Sequence, residues 1–171
     1  EAIALNCANA CGILNDFLED DELVPTVSGR MSSGGFRFDI DTAFGPKCIT
    51  VNNSQIEIDA AYEGIHYLSL FEAKRDLSDD FLIRQLYYPF RVWSGRVTKT
   101  VKPVFLIFSN GVFNLYQYQF ENPQNYNSLH LVKQKNYIIA TEIGLADIEN
   151  LLRTVPLVHE PDISFPQADR M

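Results

Sequence analysis

The stretch KPVFLIFSNGVFNLYQYQF, Lys102 to Phe120, constrains this chain more than any other. Two runs rich in β-branched and aromatic residues flank Asn110-Gly111. That pair accepts the positive backbone dihedrals of a type I′ turn, so the segment predicts a tight β-hairpin. Further strand signals lie upstream. CITVNNSQIEIDAAYEG reads as one or two strands with a turn at Asn52 and Asn53, and IHYLSLFEAK as another strand. TVSGRMSSGGFRFDIDTAF reads as a hairpin around its Ser-Ser-Gly-Gly centre.

Helical signals separate and flank these strands. Residues 2–18 are apolar at helical intervals and predict one helix with a broad buried face. In LSDDFLIRQLYYPFRVW, Ser78 is a good N-cap, Asp79 and Asp80 suit the first turn, and Pro89 is expected to kink the helix. EIGLADIENLLRTV predicts a closing helix. The order helix, strands, helix, strands, helix points to an α/β or α+β arrangement, with a mixed central sheet flanked by helices.

At 171 residues the chain is long enough for one domain with a real core. No run approaches the length of a membrane span and none reads as a signal peptide, so no membrane partner and a cytoplasmic location are expected. The chain starts without methionine on a helical pattern and stops without a closing element. A piece of a longer protein is therefore expected, with residues 156–171 as a linker. Cys7, Cys11 and Cys48 read as small buried residues rather than a disulfide framework, and their spacing with the three histidines does not suit zinc. No Gly-Lys-Ser or Gly-Lys-Thr follows the glycines, and no dinucleotide loop or nucleophile elbow is present.

The net charge of -8 argues against coating nucleic acid by bulk electrostatics. Its distribution is uneven: residues 72–102 hold seven basic residues against four acids. One positive zone on an acidic body fits a polyanion footprint, and equally a solvated helix face.

Charge also stands where core strands carry none. Asp59 follows Ile-Glu-Ile, and Glu72 and Lys74 follow Leu-Ser-Leu. Strand side chains alternate faces, so Gln55, Glu57 and Asp59 share one face, as do Leu68, Leu70, Glu72 and Lys74. If the two strands pair, two carboxylates and an ammonium converge at one end of an apolar layer. Such carboxylates suit Mg²⁺ or Mn²⁺, and a lysine beside them can orient water or stabilise charge on a phosphate. The bland alternative is a strand-end ion pair.

The arrangement of Asp59, a gap of twelve residues, then Glu72-Ala73-Lys74 at the end of an apolar strand before a helix resembles the PD-(D/E)XK nuclease superfamily. Here Ile-Asp stands in place of the Pro-Asp dipeptide. The string FEAKRDLSDDFLIRQLYYPFRVW is similar to type II restriction endonucleases of bacteria. The resemblance implies a restriction-endonuclease-like core, laid onto residues 2–120, within a nuclease-like domain of residues 1–155. It further implies a Mg²⁺- or Mn²⁺-dependent endonuclease acting on double-stranded DNA in a bacterial or archaeal cell. Asp59, Glu72 and Lys74 would be catalytic, and Asp59, Glu72 and the Ala73 carbonyl would hold the metal. Glu57 and Gln85 would be auxiliary, and Arg75, Arg84, Gln85, Tyr88 and Arg91 would meet DNA. Asp16 and Glu19 are candidates for a further acid from the first helix. A homodimer and a C-terminal DNA-reading domain beyond the linker complete the expectation. The rival reading is a non-catalytic domain of the same fold serving as a nucleic-acid or protein interaction module.

Overall fold

The computed structural model describes residues 1–75, 82–139 and 144–154. The chain divides into two compact units, residues 1–139 and 140–171. In the second unit the expected closing helix is present as Leu145–Thr154. The expected linker, residues 156–171, lies outside the described residues.

The first unit opens with α1 (Ala2–Ala10) and α2 (Ile13–Leu18) where the sequence pattern predicts a single helix. Gly12 divides them, because its φ of 71° is left-handed and an α-helix cannot continue through it. α1 turns Ala4, Leu5 and Ala8 inward, which leaves Cys7 and Cys11 on the outer side. Cys48 is exposed as well, so none of the three is the buried residue expected.

Strands β1 (Val24–Pro25), β2 (Gly29–Ser32), β3 (Gly35–Thr42), β4 (Gly45–Asn52), β5 (Gln55–Ile58), β6 (Ala60–Glu63) and β7 (Tyr67–Lys74) follow. Then come α3 (Ile83–Ser94), β8 (Thr100–Ser109), β9 (Val112–Phe120) and β10 (Leu129–Ile138). The central sheet has six strands in the order β1-β6-β7-β8-β9-β10. It is mixed: β7 and β8, joined through α3, are parallel, and its other pairings are antiparallel. The protein is thus of the α+β class, one of the two arrangements that the order of elements points to.

Both faces of this sheet are covered. Phe71, Ala73, Val104, Leu106 and Leu115 pack against α1 and α2 on one side. Leu68, Leu70, Val101 and Phe120 cluster with Tyr87 and Phe90 of α3 on the other. This is why β7 is buried continuously from Leu68 to Ala73 and reads as an unbroken apolar run. The Asn110-Gly111 turn has φ values of 53° and 78° and joins β8 to β9 as expected.

The Ser-Ser-Gly-Gly segment is not a hairpin turn. β2 pairs with β5 and β3 with β4, in one register that runs from Gly29 opposite Ile58 to Thr42 opposite Gly45. The chain reverses at Ala43 and Phe44, so residues 29–58 form one long ribbon. Gly34 (φ 66°) and Asn53 (φ 50°) bend both of its strands at the same level, where the Asn53 N–H donates to the Gly34 carbonyl at 2.9 Å. The bend exchanges faces. Met31, Ile56 and Ile58 point inward before it, and Phe36, Phe38 and Val51 after it.

α3 begins with Leu82 in the N-cap position and no side-chain cap, while Ser78, Asp79 and Asp80 lie outside the described residues. Pro89 sits within α3 and is buried. Among the described residues no helix is long and apolar enough to cross a membrane.

Candidate functional site

Asp59 sits at a fork. β6 runs beside β7 with Ala60 opposite Phe71, and one further step along that register brings Asp59 opposite Glu72. The ladder stops there because β5 leaves to pair with β2, with Ile58 opposite Gly29. The Asp59 side chain takes over the role of the departing backbone: its Oδ2 accepts the Ala73 N–H at 2.8 Å. A short acid at this bend is therefore held by the strand that carries Glu72 and Lys74.

Glu72 is only 5% exposed. Its Oε1 accepts from Lys74 Nζ at 2.5 Å and from Gln85 Nε2 at 2.6 Å. Lys74 lies two positions on along β7, so alternation puts it on the same face, and α3 brings Gln85 over that face. Burial pushes the Glu72 carboxyl up to about 7 against the opposing Lys74 hydrogen bond, and the Asp59 charge adds to the rise. Burial likewise raises Asp59, opposed by the Ala73 N–H. Burial pulls Lys74 down, but its hydrogen bond and charge interaction with Glu72 outweigh that and leave it raised. Lys74 is thus an ammonium at neutral pH, while Glu72 is poised between its acid and its carboxylate.

A cleft of about 440 Å³ opens over these groups. The fork and β7 supply Asp59, Glu72 and Lys74; α3 supplies Arg84, Gln85 and Tyr88; the ribbon supplies Arg30, Gln55 and Glu57. Glu1, at the N-cap of α1, lines it too and contributes negative charge to Asp59 and Glu72. The family model described as Domain of unknown function (DUF6997) matches residues 1–138. The chain belongs to the DUF6997 family. No curated protein and no solved structure matches it.

The matched span of the DUF6997 domain contains every residue of this cleft. Seven of the residues singled out in the sequence meet there: Glu57, Asp59, Glu72, Lys74, Arg84, Gln85 and Tyr88. Ala73 does not line the cleft: its side chain is buried in the α1 and α2 core, and its N–H donates to Asp59. Glu57 pairs with Arg30 at 3.1 Å. Arg75 is exposed just past β7 and does not line the cleft.

Arg91 stands apart from the cleft. Its Nη1 donates to the Pro123 carbonyl at 2.8 Å and its Nη2 to the Arg37 carbonyl at 3.1 Å, and its guanidinium lies 5.8 Å from the Phe36 ring. It ties α3 to the ribbon and to the loop after β9. Asp16 and Glu19 are also engaged elsewhere. Asp16 meets Tyr137 at 2.6 Å and Lys135 at 3.1 Å, and Glu19 meets Lys133 at 2.8 Å, all on β10. The acid that lines the cleft at the start of α1 is its N-cap residue, Glu1.

Among the described residues of the DUF6997 domain, no group of three or more His, Cys, Asp or Glu side chains is arranged to hold a metal ion. What the cleft offers is smaller: two carboxylates in opposed register, both held above their ordinary range by burial, in a lining that adds the Glu1 and Glu57 carboxylates and the Gln55 amide but no Cys or His. That set fits Mg²⁺ or Mn²⁺, which accept few protein oxygens and keep water ligands, and does not fit a thiolate or imidazole metal.

Proposed function

We propose that this DUF6997 domain is a metal-dependent endonuclease that hydrolyses phosphodiester bonds in double-stranded DNA, as the catalytic domain of a restriction-type enzyme. The observation that carries the reading is the Asp59 fork: a half-buried aspartate in register with a buried Glu72 whose carboxylate is shared by Lys74. Ion pairs built for stability are rarely placed where burial drives one carboxyl up to about 7 at the base of an open cleft. The antiparallel β6 and β7, followed by α3 and a parallel β8, support the resemblance to a PD-(D/E)XK core.

Asp59, Glu72 and the Ala73 carbonyl are the groups that would hold Mg²⁺ or Mn²⁺, whose chemistry here is to acidify water and offset phosphate charge. The chain's own part follows from its geometry. Lys74, an ammonium throughout the neutral range, donates to the phosphate oxygens or to the attacking water rather than removing a proton. Gln85 and Lys74 together fix the orientation of Glu72 through Oε1. Arg84 and Tyr88, whose guanidinium and ring lie 6.0 Å apart, offer α3 to the DNA backbone. Cutting both strands calls for two such sites, hence a homodimer working on cytoplasmic DNA.

A second reading is favoured by the Lys74–Glu72 contact itself, which is already satisfied without any ligand. In it the domain is an interaction module of the same fold. Cleavage of plasmid and genomic DNA with Mg²⁺ or Mn²⁺, comparing the wild type with Lys74→Ala and Glu72→Ala, separates the two. Fragments that vanish in both variants support the nuclease. No cleavage by any version, on methylated or unmethylated DNA, supports the module.

A further inference from the structure

The ribbon places a cation on the cleft that no alternation pattern points to. Arg30 on β2 lies directly opposite Glu57 on β5 in the ribbon register, and its Nε donates to Glu57 Oε2 at 3.1 Å. Both side chains are open to solvent, at 69% and 53%, and both line the cleft that holds Asp59 and Glu72. An ion pair this exposed contributes little to holding the ribbon together. The same ribbon segment is anchored instead by its inner face, where Met31 and Ile58 join the core under α3 and Ile56 is buried.

Charge in the cleft explains what such a pair can do. Glu1, Glu57, Asp59 and Glu72 face Arg30, Lys74 and Arg84, so the fully ionised cleft carries one excess negative charge. A phosphate backbone is repelled by that balance until acidic charge is neutralised. One divalent cation reverses the sign, and Arg30 then has a better partner than Glu57: a guanidinium binds phosphate through two parallel hydrogen bonds, where Glu57 takes up only its Nε.

We infer that Arg30 is a phosphate anchor for the bound DNA strand, on the cleft that Arg84 also lines, and that Glu57 is its resident stand-in for phosphate. Glu57 is then a competitor of the substrate rather than an auxiliary metal ligand. DNA binding exchanges the Arg30–Glu57 contact for an Arg30–phosphate contact, and Glu57 is left to solvent. The inference rests on the nuclease reading and names the strand-binding element of that same site.

The test is the affinity of fluorescein-labelled duplex fragments of plasmid DNA for the whole protein, by anisotropy across a salt series, with Ca²⁺ replacing Mg²⁺ so that binding is read without turnover. Arg30→Ala is expected to weaken binding about tenfold and to lower the slope of log affinity against log salt by about one contact. Arg30→Lys should keep the slope and lose part of the affinity. Glu57→Gln should tighten binding about three- to tenfold, and that gain should shrink in the Arg30→Ala background. Unchanged affinity and slope in Arg30→Ala, in a protein that binds and cuts DNA, overturns the anchor and leaves the nuclease reading standing. Weaker binding in Glu57→Gln overturns the stand-in role. A wild type that binds no duplex with Ca²⁺ and cuts none with Mg²⁺ overturns both the anchor and the nuclease reading.

Discussion

Gln85 and Glu72 meet at 2.6 Å, the helix residue donating to the same carboxylate oxygen that Lys74 holds. The contact gives α3 a part in the acid pair's chemistry. A hydrogen bond to a charged acceptor is worth about 1.5–3 kcal/mol. Gln85→Met keeps the volume and removes the donor, so ionised Glu72 loses one of its two supports. Mn²⁺ titrations by calorimetry between pH 6 and 8 should show the pH of half-maximal binding move upward, with cleavage following it. An unchanged midpoint would make Gln85 a packing residue.

The raised Glu72 carboxyl links stability to pH with a definite sign. Its folded value of about 7 lies above its ordinary 4.5, so the stability it contributes is complete below about pH 4.5 and is lost as pH rises towards 7. Between pH 5 and 8 this amounts to about 2–3 kcal/mol. Glu72→Gln mimics the protonated form at every pH. Urea unfolding should therefore find the variant near wild type at pH 5 and more stable at pH 8, while its nuclease activity is lost. Equal stabilities at pH 8 would show that burial does not act on Glu72 as stated.

How much of this was legible in the sequence depended on how far each signal reached along the chain. The alternation that places Glu72 and Lys74 on one face is local, and the burial of β7 and the Asn110-Gly111 turn follow local patterns too. Ser-Ser-Gly-Gly carries turn chemistry, but a bend in a ribbon uses the same positive φ as a reversal, and the reversal itself falls on Ala43 and Phe44. β10 gives no such local signal, because the polar run Lys133 to Asn136 interrupts its apolar residues and, as an exposed edge strand, it has no regular alternation of buried and exposed positions. With β10 unseen, Lys133, Lys135 and Tyr137 could not be assigned to Asp16 and Glu19. Arg30 and Glu1 reach the cleft only through strand register and the docking of α1, which are tertiary facts.

Asp59 does two jobs that different substitutions separate. Asp59→Asn keeps an oxygen for the Ala73 N–H and removes the negative charge that helps raise Glu72. It should fold as the wild type does, move the Glu72 titration down towards the ordinary carboxylate range, and lose cleavage by about 100-fold or more. Asp59→Ala also strips Ala73 of its acceptor, at about 1–3 kcal/mol. Carboxyl NMR titration, unfolding curves and cleavage rates on the same three proteins check all of this. Full cleavage by Asp59→Asn would remove Asp59 from the site.

Arg91 provides the control on the helix face. It shares α3 with Arg84 and Tyr88 but spends its guanidinium on the Pro123 and Arg37 carbonyls, so its loss should be felt by the ribbon rather than by DNA. Arg91→Ala leaves those two carbonyls without their charged donor, an expected cost of about 2–4 kcal/mol. The ribbon beyond the Gly34 and Asn53 bend is the part this contact secures, and it carries Arg37 and Lys47 as exposed trypsin sites. Limited trypsinolysis of Arg91→Ala should therefore cut at Arg37 and Lys47 well ahead of the wild type. The salt slope of DNA binding, measured below the variant's unfolding range, should stay at the wild-type value. A slope lowered by about one, with no added trypsin sensitivity, would instead return Arg91 to the DNA-binding face.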